Sequence, residues 1–289
     1  MKGYFRYKAI KFFIISFFVI LIGFPVLMMI SVSFQDMSEI YRKELVFFPQ
    51  KINFDNYISA MSQGNWGRYI FNSAFISTVS VFVSLFINSM AGFAFSRIPF
   101  KGRNFLFVLL LVGMMIPPQV TLIPIFHIIR GIPFAGGNNI SGSGGTGLLN
   151  TYTGLILPYI AGSFGVFLCR QYFDTFPKEL DEAQAIDGCS RFKSFIHVYL
   201  PLSKPIFATL GIIKFIGTWN EYTWPLICTP FSDKMRTVQI ALTYFRIDGI
   251  TYYNQLMAAT LITSLVVFIP FLFLQKYFTA GFMTGSIKE

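Results

Sequence analysis

Uncharged, mostly apolar runs of about twenty residues or more recur along this chain, separated by short charged connections. A bilayer core about 30 Å thick takes roughly 20 apolar residues as a helix, so each run predicts a membrane span. Phe12 to Phe34, between Lys11 and Asp36, is the first. Tyr69 to Ser96 and Asn104 to Ile129 follow, divided by the basic hairpin Arg97-Ile-Pro-Phe-Lys-Gly-Arg103. The long uncharged stretch from Gly131 to Cys169 must be split. Its residues 136–147 hold six glycines and read as a flexible loop; about Thr151 to Tyr172 is a fourth span. Pro205 to Trp224 is a fifth, weakened by Lys214 and Glu221, and Tyr253 to Phe278 is a sixth. The expected architecture is an all-α, polytopic membrane protein with six transmembrane helices. Residues 1–68 supply an N-terminal tail, the first helix and an outer loop; residues 69–289 supply a core of five helices.

Composition narrows the class. Of 289 residues, 54% are hydrophobic, 18% aromatic and 12% charged, against about 25% charged in an average soluble domain. Such a chain cannot cover its surface with polar side chains, which excludes a soluble enzyme and a disordered protein. The net charge of +10 raises the question of nucleic acid, and its distribution answers it. With the N-terminus inside, the inner segments 1–11, 97–103, 170–204 and the tail beyond Leu274 hold fourteen basic residues. The outer loops 35–68, 130–150 and 225–252 hold eight. That bias puts both termini in the cytoplasm, and positives spread over span ends do not form a nucleic-acid surface. The first run is too long for a cleaved signal peptide and lacks a small-residue cleavage site, so it reads as a retained helix. Three cysteines and two histidines are too few and scattered for a metal site or disulfide framework. Cys169, Cys189 and Cys228 read as small apolar residues.

One inner segment breaks the basic pattern. Between Asp174 and Asp187 lie five of the chain's thirteen acids. Pro177 suits the first turn of a helix, Glu179 and Asp181 its positive end, and Gly188 a stop. These signals predict a helix of about eleven residues, too polar to span. Leu180, Ala183, Gln184 and Asp187 share one face; Ala183, Ala185 and Gly188 are small enough for another protein to approach closely. On pattern alone a solvated connector and a docking surface fit equally well.

Glu182-Ala183-Gln184, three more residues, Gly188, nine more, then Val198-Tyr199-Leu200-Pro201 resemble the EAA loop of binding-protein-dependent ABC importer permeases. The family pattern is Glu-Ala-Ala, x3, Gly, x9, Ile, x, Leu-Pro, so Gln184 and Val198 are mild departures. The longer Glu-Ala-x-x-x-Asp-Gly with Phe195 and Pro201 resembles the carbohydrate-uptake branch, similar to the second permease of maltose-type systems. So do Thr218-Trp-Asn-Glu-Tyr-Thr-Trp-Pro-Leu226 and the ending Leu274-Gln-Lys-Tyr-Phe-x-x-Gly281. The resemblance implies a coupling loop at 177–201, between spans four and five. Its helix, with Glu182, Ala183, Ala185, Asp187 and Gly188, would seat in a cleft of a separate ATPase and transmit ATP-driven closure to the spans. It further implies a homologous second permease in a heterodimer, two ATPase subunits, an extracytoplasmic solute-binding protein and a sugar or oligosaccharide cargo, in a bacterial cell membrane.

No Gly is followed by Lys, so the chain has no Gly-x-x-x-x-Gly-Lys-Ser/Thr phosphate loop. ATP and Mg belong to the partner ATPase, and no cofactor or metal is expected on this chain. His127, within span three, and His197, after the coupling helix, lack a sequence neighbour for a triad, so no catalytic residue is expected.

Lys214 lies about 15 Å along span five from Pro205. A charge there costs at least ~2.5–3.5 kcal/mol unless it faces protein or water. Glu221, seven residues on, returns nearly to the same face, with Asn220 beside it. Two readings compete. Lys214 and Glu221 pair with neighbouring helices, or with Trp219 and Asn220 they line a solute path whose hydroxyl-rich cargo needs polar partners. Trp224 reads as an interfacial anchor. The resemblance gives Lys214 no role. A phosphorylated solute, such as a glycerophosphodiester, would want several cavity-facing basic residues. A self-sufficient carrier would show paired repeats with broken helices, and none is read at matched positions.

Overall fold

The computed structural model describes residues 2–44, 46–230 and 232–283. Its first helix, α1 (Lys2–Ser33), contains Ile10–Ser33, long and apolar enough to cross a bilayer. Two short helices follow, α2 (Met37–Ile40) and α3 (Asp55–Ser62). Helix ends leave carbonyls without partners, and Asn56 of α3 supplies them here. Its Nδ2 donates to the Ser33 and Gln35 carbonyls, each at 2.9 Å. The second straight span is α4 (Trp66–Arg97).

The next two apolar runs are not single helices, contrary to expectation. α5 (Arg103–Gly113) and α6 (Pro118–Arg130) meet at 103°. Pro117 and Pro118 lack the N–H groups that would continue the ladder, and Pro117 disfavours helical backbone at Ile116. α7 (Tyr152–Ile156) runs into a tight turn, Leu157–Tyr159, and meets α8 (Ser163–Asp174) at 48°. The backbone opened there is taken up by α4: Gly162 N–H donates to Asn88 Oδ1 at 3.2 Å, and Asn88 Nδ2 donates to Ser84 at 2.8 Å. In a membrane such freed groups need a protein partner. α4 and α8 also approach closely through small residues; a Cβ on Gly92 would lie 2.6 Å from the Cys169 Cβ.

The glycine-rich 136–147 segment is folded rather than a flexible tether. Asn138 Nδ2 donates to the Arg130 and Ile132 carbonyls at 2.7 and 2.9 Å, and its Oδ1 accepts from Gly145 N–H at 2.8 Å. Gly147 has φ +60°, and a Cβ there would sit 2.2 Å from the Arg130 carbonyl oxygen. The glycines let the loop fold tightly onto the end of α6.

α9 (Glu179–Ile186) has eight residues, shorter than expected because Pro177 and Lys178 form a turn ahead of it. α10 (Arg191–Ser194), a π-helical turn (Phe195–Tyr199) and α11 (Leu200–Leu202) form one run that meets α12 (Lys204–Trp219) at 78°. Pro205 cannot donate to the Pro201 carbonyl, which breaks the ladder at Ser203. The fifth run therefore also departs from expectation, and it ends at Trp219; Trp224 belongs to a separate α13 (Thr223–Cys228). After α14 (Val238–Leu242), a hairpin of β1 (Arg246–Ile247) and β2 (Ile250–Thr251) turns at Asp248-Gly249 with positive φ at both. α15 (Tyr253–Met283) holds the third straight span, Tyr253–Phe273.

The described residues form two compact units, those within 2–66 and 241–266, and those within 67–240 and 267–283. In the first, Trp66 stacks on Phe245 at 6.0 Å between ring centroids and donates to the Ala60 carbonyl at 2.8 Å. The second is held by two apolar clusters. One gathers Ile129, Leu155, Trp224 and Cys228; the other gathers Phe93, Cys169, Phe173, Phe195, Tyr199 and Leu210.

Candidate functional site

α9 stands on the second unit through two side chains. Asp181 accepts twice, from Arg97 at 3.0 Å and from the Tyr199 hydroxyl at 2.7 Å. The same guanidinium donates to the Phe173 and Phe176 carbonyls and lies 5.5 Å from the Tyr199 ring centroid. Gln184, buried, accepts from the Ser194 hydroxyl. Beyond the helix, Gly188 has φ +68° with no atom within 4 Å of a built Cβ, and Ser190 caps α10 by accepting from Lys193 N–H at 3.3 Å. The turn thus needs glycine for its backbone, not for space.

The remaining side chains face outward. Glu182, Ala183, Ala185, Asp187 and Gly188 are all exposed, and Ile186 is 86% exposed. The face expected from spacing is split: Gln184 turns inward while Ala183 and Asp187 turn outward. Cys189 is exposed, unlike the buried Cys169 and Cys228, so it is not a small core residue.

The second group of expected residues does not form one site. Glu221 Oε1 accepts from the N–H groups of Thr223 and Trp224, at 3.0 and 3.3 Å. It caps α13, where a carboxylate is favoured by the free donors and the helix dipole. Trp219 is 3% exposed and stacked on Phe215 at 5.9 Å, which leaves no open ring face. Trp224 is buried and donates to the Gly154 carbonyl at 3.2 Å, so it packs a core rather than anchoring an interface. Asn220 is exposed and accepts from Gln239 at 3.3 Å. Lys214 is half-buried with its Nζ 5.9 Å from the Tyr159 ring centroid. Among the described residues it forms no ion pair, with Glu221 or any other acid. An apolar groove of about 550 Å³ runs between α4, α12 and α15, lined by Phe82, Phe207, Phe215 and Phe271 among others; Lys214 lies outside it.

Residues 84–283 match the family of binding-protein-dependent transport system inner membrane components. The chain belongs to that family. This permease-family chain is 35% identical over 273 residues to the probable ABC transporter permease protein YurM of Bacillus subtilis, covering 94% of the chain and 85% of the relative. It is 35% identical over 276 residues to the arabinooligosaccharides transport system permease protein AraQ of Halalkalibacterium halodurans, covering 94% of each. A solved bacterial ABC transporter, involved in the import of the acidic polysaccharide alginate, contains a chain of the same fold. The match has a TM-score of 0.77 and 20% identity, and covers 96% of this chain and 98% of the other. The broken helices therefore occur in an importer-permease family and do not mark a self-sufficient carrier.

Sequence reasoning missed Arg97 as more than a span-end positive, gave Tyr199 no role beyond an unassigned position of the EAA pattern, and missed Ser194 and Tyr159 altogether. Arg97 and Asp181 are 84 residues apart, and no local spacing rule joins them. The one available signal was that Arg97 ends an apolar run in a chain poor in charge.

Proposed function

We propose that the chain is one of two transmembrane subunits of an ATP-driven importer in a bacterial cell membrane, moving a sugar or short oligosaccharide delivered by an extracytoplasmic solute-binding protein. Relatives named for arabinooligosaccharides, trehalose and maltose, lactose, and diacetylchitobiose support the cargo class. A solved alginate transporter in complex with its oligosaccharide-bound periplasmic protein, of the same fold, supports the binding-protein partner. Counting each bent pair as one span gives six, with both termini cytoplasmic and the 177–201 loop between the fourth and fifth. Residues 1–68 would supply the N-terminal tail, the first transmembrane helix and an outer loop, and 69–289 the permease core of five transmembrane helices.

α9 is the observation that carries the coupling role. It is anchored on one side by Asp181 and Gln184 and bare on the other. An isoleucine left 86% exposed forgoes about 1.5–3 kcal/mol of burial that a partner surface could supply. Glu182, Ala183, Ala185, Asp187 and Gly188 would meet the ATPase. The partners are a homologous second permease in a heterodimer and two ATPase subunits that use ATP and Mg; this chain contributes no catalytic residue. Of the residues considered for the solute path, Lys214 and Asn220 remain, while Trp219 and Glu221 have packing and capping roles.

The test is reconstitution of the complete importer in proteoliposomes with radiolabelled disaccharides. Uptake should require the binding protein, ATP and an intact ATPase phosphate loop. Uptake by the permeases without an ATPase would overturn the reading.

A further inference from the structure

The groove between α4, α12 and α15 is apolar along most of its length and charged at one end. Phe82, Phe207, Phe215 and Phe271 line it, and among the described residues its one charged side chain is Lys204, the first residue of α12. Lys204 is exposed and forms no ion pair among the described residues. It directly follows the 78° bend between α11 and α12. From Lys204 to Ile216, the last lining residue of α12, the helix rises about 18 Å. That is close to one leaflet's share of a bilayer core about 30 Å thick.

Each feature narrows the occupant. A groove of about 550 Å³ is the size of a site for one small molecule. A sugar would find almost no hydrogen-bond partner in it, since Thr78 is the only other polar side chain of the described lining. An acyl chain needs none and lies against Phe207, Ala208 and Phe215 at no polar cost. In the topology proposed above, Lys204 sits at the cytoplasmic end of α12, level with the inner leaflet's headgroups. A lysine there lays its stem along apolar surface and offers its ammonium to anionic lipid. One cation matches a headgroup with one net negative charge. A zwitterionic headgroup brings its own cation to its phosphate, and an uncharged helix leaves Lys204 uncompensated. We propose that the groove holds an acyl chain of an anionic phospholipid of the inner leaflet, with the lipid phosphate on Lys204. This lipid is a resident of the permease and not its cargo, so the inference is independent of which solute is carried.

The test uses the complete importer in phosphatidylcholine nanodiscs. These carry a trace of phosphatidylglycerol or phosphatidylcholine with a photoactivatable diazirine in one acyl chain, and crosslinked peptides are mapped by mass spectrometry. The phosphatidylglycerol probe should label the lining of α12 about fivefold more than the phosphatidylcholine probe, as expected for one lysine beside an anionic headgroup. Lys204→Gln should remove that preference and Lys204→Arg should keep it. Ala208→Phe should lower labelling by both probes, because it fills the groove beside Phe207. Equal labelling by the two probes in the wild type, or a preference that survives Lys204→Gln, overturns the proposal and leaves the groove covered by bulk lipid. Crosslinks from the lining to the second permease in place of lipid overturn it as well. So does free glycerophosphate that competes as strongly as unlabelled phosphatidylglycerol, because the acyl chain then contributes nothing. If Ala208→Phe prevents recovery of the complex, Lys204→Gln decides, since it changes an exposed side chain at the end of the groove.

Discussion

The guanidinium of Arg97 and the carboxylate of Asp181 meet at 3.0 Å and tie the last residue of α4 to the first turn of α9. Arg97 reaches the Phe173 and Phe176 carbonyls as well, so one side chain joins α4, the end of α8 and α9. Tyr199 closes the arrangement from the run that leads into α12, donating to the other Asp181 oxygen. A push on α9 therefore reaches the helices on both sides of it through short, directional contacts.

Arg97→Met should break this junction. It takes the guanidinium from two carbonyls and from Asp181, which keeps only the Tyr199 hydroxyl, and removing one partner of a buried pair costs about 3–5 kcal/mol. Arg97 is 7% exposed but Asp181 is 20% exposed, which places the cost at the lower end. Arg97→Lys keeps the charge but cannot serve three acceptors with a planar fork, so it should fall between. Thermal unfolding of the solubilised complex and the ratio of solute imported to ATP hydrolysed both report on it. An unchanged ratio in Arg97→Met would mean that α9 transmits its motion by another route.

Gly188 allows backbone conformation and surface fit to be told apart. A residue with a Cβ in left-handed backbone costs roughly 1–2 kcal/mol, and Asn tolerates it best. No atom lies within 4 Å of a Cβ at this position, so within the chain only φ matters. Gly188→Val should lose uptake while ATP hydrolysis continues; Gly188→Asn should stay near wild type. Equal loss in both variants would show that close approach of a partner, not the turn, sets the requirement.

Gly92 tests the packing of α4 on α8. A Cβ there meets the Cys169 Cβ at 2.6 Å and the Arg170 backbone nitrogen at 2.9 Å, and neither belongs to a movable side-chain end. Overpacking of this kind costs about 1–3 kcal/mol. Gly92→Ala should lower the melting temperature of the solubilised protein measurably and Gly92→Leu more so. Gly23→Ala, where nothing lies within 4 Å, should leave it unchanged.

The lengths of the apolar runs were legible because a bilayer demands them, and the straight spans in α1, α4 and α15 lie where the runs do. The bends were not legible from proline. Pro25 and Pro270 sit inside continuous helices, whereas Pro117 and Pro118 mark a 103° break. At the α7–α8 bend the opened backbone is taken up by Asn88, which accepts from Gly162 N–H, and a partner 74 residues away is a tertiary fact. The acid content of 174–187 located α9, but which of its faces is free depends on Arg97, 84 residues from Asp181, and on Ser194, ten residues from Gln184 across a turn. Glu221 misled for the converse reason: seven-residue spacing aligned it with Lys214, yet α12 stops at Trp219 and the carboxylate caps the next helix instead.

Cys189 offers a direct reading of what covers α9. It is the exposed cysteine, one residue past Gly188, while Cys169 and Cys228 are fully buried. A membrane-impermeant maleimide applied to inside-out vesicles should therefore label Cys189 alone, and Cys189→Ala should abolish labelling. If α9 seats in an ATPase cleft, vesicles holding the assembled importer should label more slowly than vesicles stripped of their ATPase subunits, and adding the ATPases back should restore protection. Labelling at one rate in all three preparations would make the helix a solvated connector, and the exposed Glu182, Ala185 and Ile186 would then have no partner to meet.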